Sequence, residues 1–397
     1  MSIFSYSYSL PYIFVFFLLF FSSLEIYRTK NSSICVANIL LQRYIVILTL
    51  LVFVGFRGFI QTDWFTYYKV FEETPSFFDN AFVDYVHNSR WELGFTVFTS
   101  FIKLFSANYF VFQFVNYLIE FILLYILFRK YLGRNFLFGF LFYYIFGCLT
   151  MSVNLLRNSK AILIFIVSLK YIERHQFFRY LFLNVLGCLF HVTAILYIPL
   201  YFLLSKEWNG KLLVFLFVIG NVFFFFHIEW IKILFQILAP FCGQRIGGMI
   251  EFYTKSKIFA SSYGFSIGFI ERFMTFLLAY HYRKKIYALN KTNITFVNCL
   301  FCYVYVYLFA SEMSVLTDRL PLLFVFSYWF IYPQIYKLLN NIRMKRLFLL
   351  LLTLYSIIKL IKFNYILIMY DNALFTHLSY NDRSYYFKKY TKFLIER

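Results

Sequence analysis

The sequence predicts an all-α protein: a polytopic membrane helical bundle of roughly 10–13 transmembrane helices, with a short re-entrant or interfacial helix near 93–107. Three observations predict it. Hydrophobic residues make up 62% of the 397 and charged residues only 14%, whereas soluble domains carry about a quarter charged residues. The runs 9–24, 135–156, 180–204, 212–228, 292–311 and 320–336 contain no Asp, Glu, Lys or Arg, and a membrane-crossing helix needs ~20 apolar residues. Backbone groups cannot stay unpaired in lipid, so long continuous apolar runs mean helices and not a barrel.

Charge and cysteine usage narrow the class further. The formal net charge is +20, but the Lys and Arg fall mainly in short connectors, as expected of cytoplasmic loops. Nucleic-acid binding is therefore not expected. Cys299 and Cys302 form a CxxC, yet it lies inside an apolar helix with no second pair, so no zinc site is expected. No cofactor and no metal are expected. Residues 9–27 lack a preceding basic region and read as a retained first helix.

Taken in order, Arg28, Lys30 and Arg43 place the first connector inside, and a second helix over 34–56 leads out. The loop 57–92 holds Asp63, Glu72, Glu73, Asp79, Asp84 and Glu92, six of the eighteen acidic residues, and is assigned to the outer side. Residues 93–107 would span only ~22 Å as a helix, short of the ~30 Å core. A full crossing there would put the basic RKYLGR (129–134) outside, so a re-entrant or interfacial helix is expected. Beyond it, 135–151 goes out, a polar elbow at 152–160 lies near the outer face, and 161–172 returns to ERHQFFR. The runs 180–204 and 211–228 exit and return, and 230–242 leads to a second outer region, 243–263. Helices at 264–282, 293–311 and 320–336 follow, with SEMSVLTDR (311–319) outside. A last helix over 347–370 leaves the basic tail 371–397 nominally outside, against the charge rule. One domain is expected over 1–370. Without an internal repeat, an inverted-repeat transporter is disfavoured.

Ionisable groups near a bilayer are costly and therefore functional candidates. Arg57, Asp63 and Glu92 flank the first loop, Arg157 and Lys160 stand at the elbow, and Asp318 and Arg319 precede a late helix. His191 lies about eleven residues into its run. Each has a plainer reading. Arg57 and Arg319 also suit snorkelling anchors, Asp63 a turn cap, Glu92 a cap for the short helix, and His191 a packing residue. Glu120, Glu271 and Arg272 read as structural groups within their helices. Together, dispersed arginines on one side suggest an anionic substrate, since the guanidinium fork matches phosphate oxygens. Trp64, Tyr67, Tyr68 and Trp91 offer flat faces suited to sugar rings. A membrane-borne substrate bearing phosphate and sugar is a polyprenyl-diphosphate-linked oligosaccharide.

Five segments then occur in order: FRGFIQTDWFTYYKVF (56–71), RWELGFTVFTSFIKLF (90–105), VNLLRNSKAILIFIVSLKYI (153–172), LFHVTAILYIPLYFLL (189–204) and LTDRLPLLF (316–324). The chain resembles the EpsG-like branch of Wzy-type polysaccharide polymerases, of exopolysaccharide, capsule and O-antigen pathways, over most of 10–340. The resemblance implies a multi-pass glycosyltransferase of the bacterial inner (cytoplasmic) membrane, joining lipid-linked repeat units on its outer face. A chain-length regulator protein would be a partner, alongside membrane lipids. It carries over Arg57, Asp63, Glu92, Arg157, His191 and Arg319 as catalytic positions. Trp64, Tyr67, Tyr68, Trp91, Lys160 and Asp318 are expected as substrate contacts. The elbow departs from the family's usual RQ followed by an apolar residue and Ala: this chain has Arg157-Asn158-Ser159-Lys160-Ala161. Arg157 and Arg319, with Arg57, would stabilise the departing diphosphate. The base would be Asp63 or Glu92, or His191 if water reaches it. The rival readings are a ligase moving lipid-linked glycan to another acceptor, a lipid-linked oligosaccharide flippase and, more distantly, a membrane O-acyltransferase.

Overall fold

The computed structural model describes residues 2–28, 33–241, 243–256, 260–375 and 378–395. The connector expected around Lys30 and the residue Cys242 lie outside them. Among the described residues the protein is all-α: no strand occurs, and only isolated bridges join Phe4 to Tyr365 and Arg57 to Asn372. The helices are α1 (Leu10–Arg28), α2 (Ser33–Leu50), α3 (Trp64–Glu73), α4 (Phe82–Asn88), α5 (Leu93–Lys103) and α6 (Tyr109–Leu132). They continue as α7 (Phe136–Tyr143), α8 (Leu156–Glu173), α9 (Phe177–Cys188), α10 (Gly210–Phe226), α11 (Trp230–Leu238) and α12 (Gly243–Lys255). The last are α13 (Ile267–Leu289), α14 (Asn293–Phe309), α15 (Ser314–Arg319), α16 (Ser327–Leu338), α17 (Ile342–Ile361) and α18 (Tyr380–Ile395).

By length and apolar composition, the helical runs Tyr6–Leu24 and Tyr109–Met151 are long enough to cross a membrane. Two further pairs qualify if each is one span, Gly210–Phe226 with Trp230–Phe241, bent by 83°, and Ser314–Phe324 with Ser327–Leu338, bent by 60°. Other apolar runs are divided into shorter helices. The run 180–204 shows why. It is broken after Cys188, and Val192–Leu200 continues as a 3-10 helix. His191 sits at the break in an extended conformation and caps the new helix through its own ring. The Leu189 carbonyl turns away from helical pairing to accept the Gly94 amide at 2.8 Å. His191 thus starts a helix, where the apolar run alone predicts a position mid-way along one.

The chain forms two compact units, Met1–Tyr201 with Leu339–Arg397, and Phe202–Leu338. In the first, α6 and α7 fold back on each other across Gly133, whose φ of 59° suits the absence of a side chain. Phe121 stacks on Phe140 at 4.9 Å to close that hairpin. Arg43 and Arg129 both lie 5.4 Å from the Phe136 ring, which gathers two basic connectors at one end.

The 57–92 segment and the tail lie together. Tyr380 stacks on Tyr68 at 4.7 Å and Phe387 on Phe65 at 5.2 Å. The Gly58 amide donates to the Asp371 carbonyl at 2.8 Å. Arg383, 2% exposed, donates to the Met369 carbonyl at 2.7 Å and lies 3.7 Å from the Asp371 carboxylate. The tail is therefore part of the first unit and shares a side with the first loop, whatever its charge. The loop has its own core of Phe59, Trp64, Tyr67, Phe71, Phe95 and Phe112. Each fully buried ring of this kind contributes roughly 1.5–3 kcal/mol.

In the second unit, Glu312 caps α11 by accepting the Ile231 amide at 2.5 Å and the Lys232 amide at 3.4 Å. The Arg272 guanidinium lies 4.1 Å from the Tyr307 ring, so this cation is held by aromatic faces.

Candidate functional site

The 57–92 loop, the elbow and the break at 189–191 come together in the first unit, and side chains from each meet there. α8 begins at Leu156, so Arg157 and Asn158 stand in its first turn, with Lys160 at the start of the second, and not on an irregular elbow. The Arg157 guanidinium forms an ion pair with Glu92, the residue just before α5, both side chains being partly shielded at 23% and 19% exposure. The same guanidinium lies 4.4 Å from the Trp91 ring and meets the Tyr67 hydroxyl. Burial raises the Tyr67 phenol above its ordinary pKa, with Arg157 opposing the shift.

Two short polar contacts fix the surroundings. The Asn154 side-chain oxygen accepts the Asp63 amide at 2.9 Å and lies 3.3 Å from the Thr62 hydroxyl, which ties the start of α3 to the segment before α8. The Thr62 hydroxyl also donates to the Asp63 carboxylate at 3.1 Å. On the other flank, His191 Nδ1 accepts the Thr193 amide at 3.3 Å, and the Thr193 hydroxyl donates to Asn158 Oδ1 at 3.2 Å. A relay from the imidazole thus ends one residue from Arg157. Asp63, Glu92, Arg157 and His191, distant in sequence, are gathered in one region.

Arg57 and Lys160 belong to a different, buried polar group. Arg57 is 2% exposed and donates to the Val54 carbonyl at 2.7 Å. Lys160 is 8% exposed, with its ammonium 6.0 Å from the Phe98 ring. Glu120 is the neighbouring carboxylate of both, and it accepts hydrogen bonds from Tyr143 (3.2 Å) and Ser152. Of the expected aromatic contacts, Trp64 and Tyr67 are packed in the loop core at 3% and 5% exposure, and Tyr68 lies against Tyr380. Trp91 alone of the four lines a cleft among those described. Asp318 and Arg319 are exposed on α15 in the second unit, where Asp318 accepts from the Tyr263 hydroxyl at 2.6 Å. Among the described residues, no group of three His, Cys, Asp or Glu side chains could hold a metal ion.

Sequence reasoning missed Asn154, Asn158 and Thr193, whose short polar side chains carry no periodic or charge signal. It also missed Lys103, whose ammonium donates to the carbonyls of Phe71 (2.7 Å), Glu72 (2.9 Å) and Thr74 (2.7 Å), capping α3.

Compared with known protein families, residues 40–377 match the EpsG family model. The chain belongs to the EpsG family. No curated protein and no solved structure matches it. As an EpsG-family member with apolar spanning helices, it is a membrane protein of polysaccharide biosynthesis. The matched residues take in the whole constellation around Arg157 and also α15 with Asp318 and Arg319.

Proposed function

We propose that this EpsG-family chain is a glycosyltransferase polymerising polyprenyl-diphosphate-linked repeat units on the outer face of the inner membrane. The observation that carries the reading is Arg157, held by Glu92 and Tyr67 against Trp91 where three family segments converge. In the reaction, the acceptor hydroxyl of one lipid-linked unit attacks the anomeric carbon of another chain, and polyprenyl diphosphate leaves. The diphosphate is already a good leaving group, so the main demand is on charge stabilisation as it departs. A guanidinium with its side chain fixed in advance supplies this without reorganisation. Glu92 orients that cation and is committed to it. Asp63, positioned through Asn154, is then assigned as the base for the acceptor proton, and His191 steadies α8 through Thr193 and Asn158. Arg319 carries over as a catalytic position, and Asp318 as a substrate contact, from the family resemblance alone.

The test is complementation of a deletion strain, with surface glycan sized on a gel and protein levels measured. Arg157→Ala is expected to lower polymer at least 10²-fold, the range for removing one donor to developing negative charge, while single repeat units persist. Arg157→Lys keeps the charge but loses the planar fork and is expected to fall in between. Arg319→Ala is expected to resemble Arg157→Ala. Full-length polymer in Arg157→Ala would overturn the assignment. Absence of even single-unit glycan in the deletion strain would favour a ligase.

A further inference from the structure

Beside the Arg157 constellation, α3, α4 and the segment after α4 border an open surface cleft of about 440 Å³, within the ~300–1,000 Å³ typical of small-molecule sites. Its chemistry is mixed. Thr66, Lys69 and Glu73 recur at three and four residues along α3 and so share one helical face. Tyr85 and Asn88 stand on the α4 side, and Trp91 closes the end. Donors, acceptors and both signs of charge therefore surround a space with aromatic walls.

Each feature restricts the ligand. A lipid tail would meet too many polar groups. A phosphate would gain from Lys69 and Arg90 but meet Glu73 in the same space, and a carboxylate opposite an anion is a discriminating element. A hydroxyl-rich ring with apolar C–H faces satisfies both kinds of wall, through hydrogen bonds to Thr66, Glu73 and Asn88 and packing on the aromatic surfaces. The cleft is also built in advance of any ligand. The Thr74 hydroxyl donates to the Tyr85 hydroxyl at 3.2 Å, joining α3 to α4. Lys103 caps α3, and the Ser100 hydroxyl donates to the Pro75 carbonyl at 2.6 Å, so α5 holds the same turn. Such preorganisation lowers the entropy lost on binding.

Trp91 decides what the cleft is for. It lines the cleft and also carries the Arg157 guanidinium at 4.4 Å. A chain lying in the cleft therefore ends beside the ion pair. From this we infer that the α3–α4 cleft is a saccharide-holding subsite, which retains sugar units of the growing glycan next to Arg157. The inference rests on the polymerase reading for the identity of the glycan. It places sugar recognition in Thr66, Glu73 and Asn88, where the sequence alone pointed to the rings of Trp64 and Tyr67, which are buried in the loop core.

The experiment uses full-length protein in detergent. Its probes are lipid-free oligosaccharides of one and three repeat units, released from the surface glycan of the producing strain. Tryptophan fluorescence is the readout, with Trp91→Phe identifying the Trp91 contribution. Wild type is expected to bind the three-unit probe saturably and more tightly than the one-unit probe. Thr66→Ala/Glu73→Ala changes exposed side chains, should melt as wild type does, and is expected to weaken binding at least tenfold. In the complemented strain it should shorten the glycan ladder without abolishing it. Arg157→Ala is expected to bind the probe within threefold of wild type while making no polymer. No saturable binding by wild type, or unchanged affinity in the double variant, overturns the subsite. Displacement of the probe by phosphatidylglycerol vesicles at equal loading also overturns it, in favour of a lipid headgroup. If the deletion strain keeps its full glycan ladder while probe binding follows the cleft variants, the polymerase reading fails and the saccharide site stands.

Discussion

Replacing Gly94 by Ala separates catalytic geometry from stability. Gly94 lies in the first turn of α5, two residues after Glu92. A Cβ there would stand 2.8 Å from the Leu189 carbonyl oxygen and 2.9 Å from the Leu189 Cβ. To reach the 3.4 Å at which ordinary contact begins, α5 must retreat by about 0.6 Å. The retreat loosens the 2.8 Å Gly94–Leu189 hydrogen bond, a loss of roughly 0.5–1.5 kcal/mol. Ala in place of Gly within a helix returns roughly 0.5–1 kcal/mol, so net stability should scarcely change. Geometry has no such compensation. Glu92 moves with α5 away from the segment that carries His191, and Arg157 follows its carboxylate. A misplacement of ~1 Å at reacting groups can lower rate ~10²-fold; for about 0.6 Å we expect roughly a tenfold loss. The assay is polymer formed per unit time from lipid-linked repeat units by purified protein, with a melting curve alongside. Gly248→Ala is the control, because a Cβ at Gly248, within α12, meets nothing within 4 Å. Activity within twofold of wild type in Gly94→Ala, at an unchanged melting temperature, would refute the coupling of α5 to the site.

Three further outcomes follow from other contacts. Lys103→Met removes three charge-assisted hydrogen bonds from the end of α3; at ~1.5–3 kcal/mol for a hydrogen bond to a charged group, it should open the 57–92 segment to protease, which limited proteolysis reads directly. Arg383→Met removes the guanidinium 3.7 Å from the buried Asp371 carboxylate, a loss of about 3–5 kcal/mol for a broken buried pair, and should release α18, seen as cleavage within 370–395 before other sites. Glu312 is a pH probe: burial raises its pKa above the ordinary carboxylate value, so its contribution to stability is fullest below that ordinary value and is lost as pH rises through the raised one. Glu312→Gln, which keeps an oxygen for the Ile231 amide, should remove that decline, so that its melting temperature gains on wild type as pH rises from 4 to about 7; parallel curves for the two proteins would refute it.

The class of the molecule was legible in the sequence because it depends on composition and run length. Charge-free runs force helices wherever backbone groups have no water to pair with, and no tertiary detail is needed for that. Candidate site residues were legible for a related reason. A charge next to an apolar run is expensive, so Glu92, Arg157 and His191 stood out by type and place alone.

Their partnerships were not legible. Glu92 and Arg157 are separated by 65 residues, and only the packing of α5 against the 189–191 break and α8 brings them together. The break carries little signal within an apolar run: Pro199, which has no amide to donate, lies in the 3-10 stretch, and the His191 cap and the Gly94–Leu189 hydrogen bond hold the chain where α9 ends. The same holds for the aromatics of the first loop. Composition makes Trp64, Tyr67 and Trp91 equivalent, and burial separates the two that form the loop core from the one at the cleft. The tail was misleading by charge, since its basic residues suggest the side opposite the acidic loop. Arg383 and the stacked pair Tyr68–Tyr380 place it beside that loop, because a buried ion pair and ring contacts outweigh a statistical preference of connectors. Sequence alone thus determined that this is a helical membrane protein with arginines and carboxylates in reserve. Tertiary structure decided which of them meet, because pairing across the chain depends on close contact and not on local pattern.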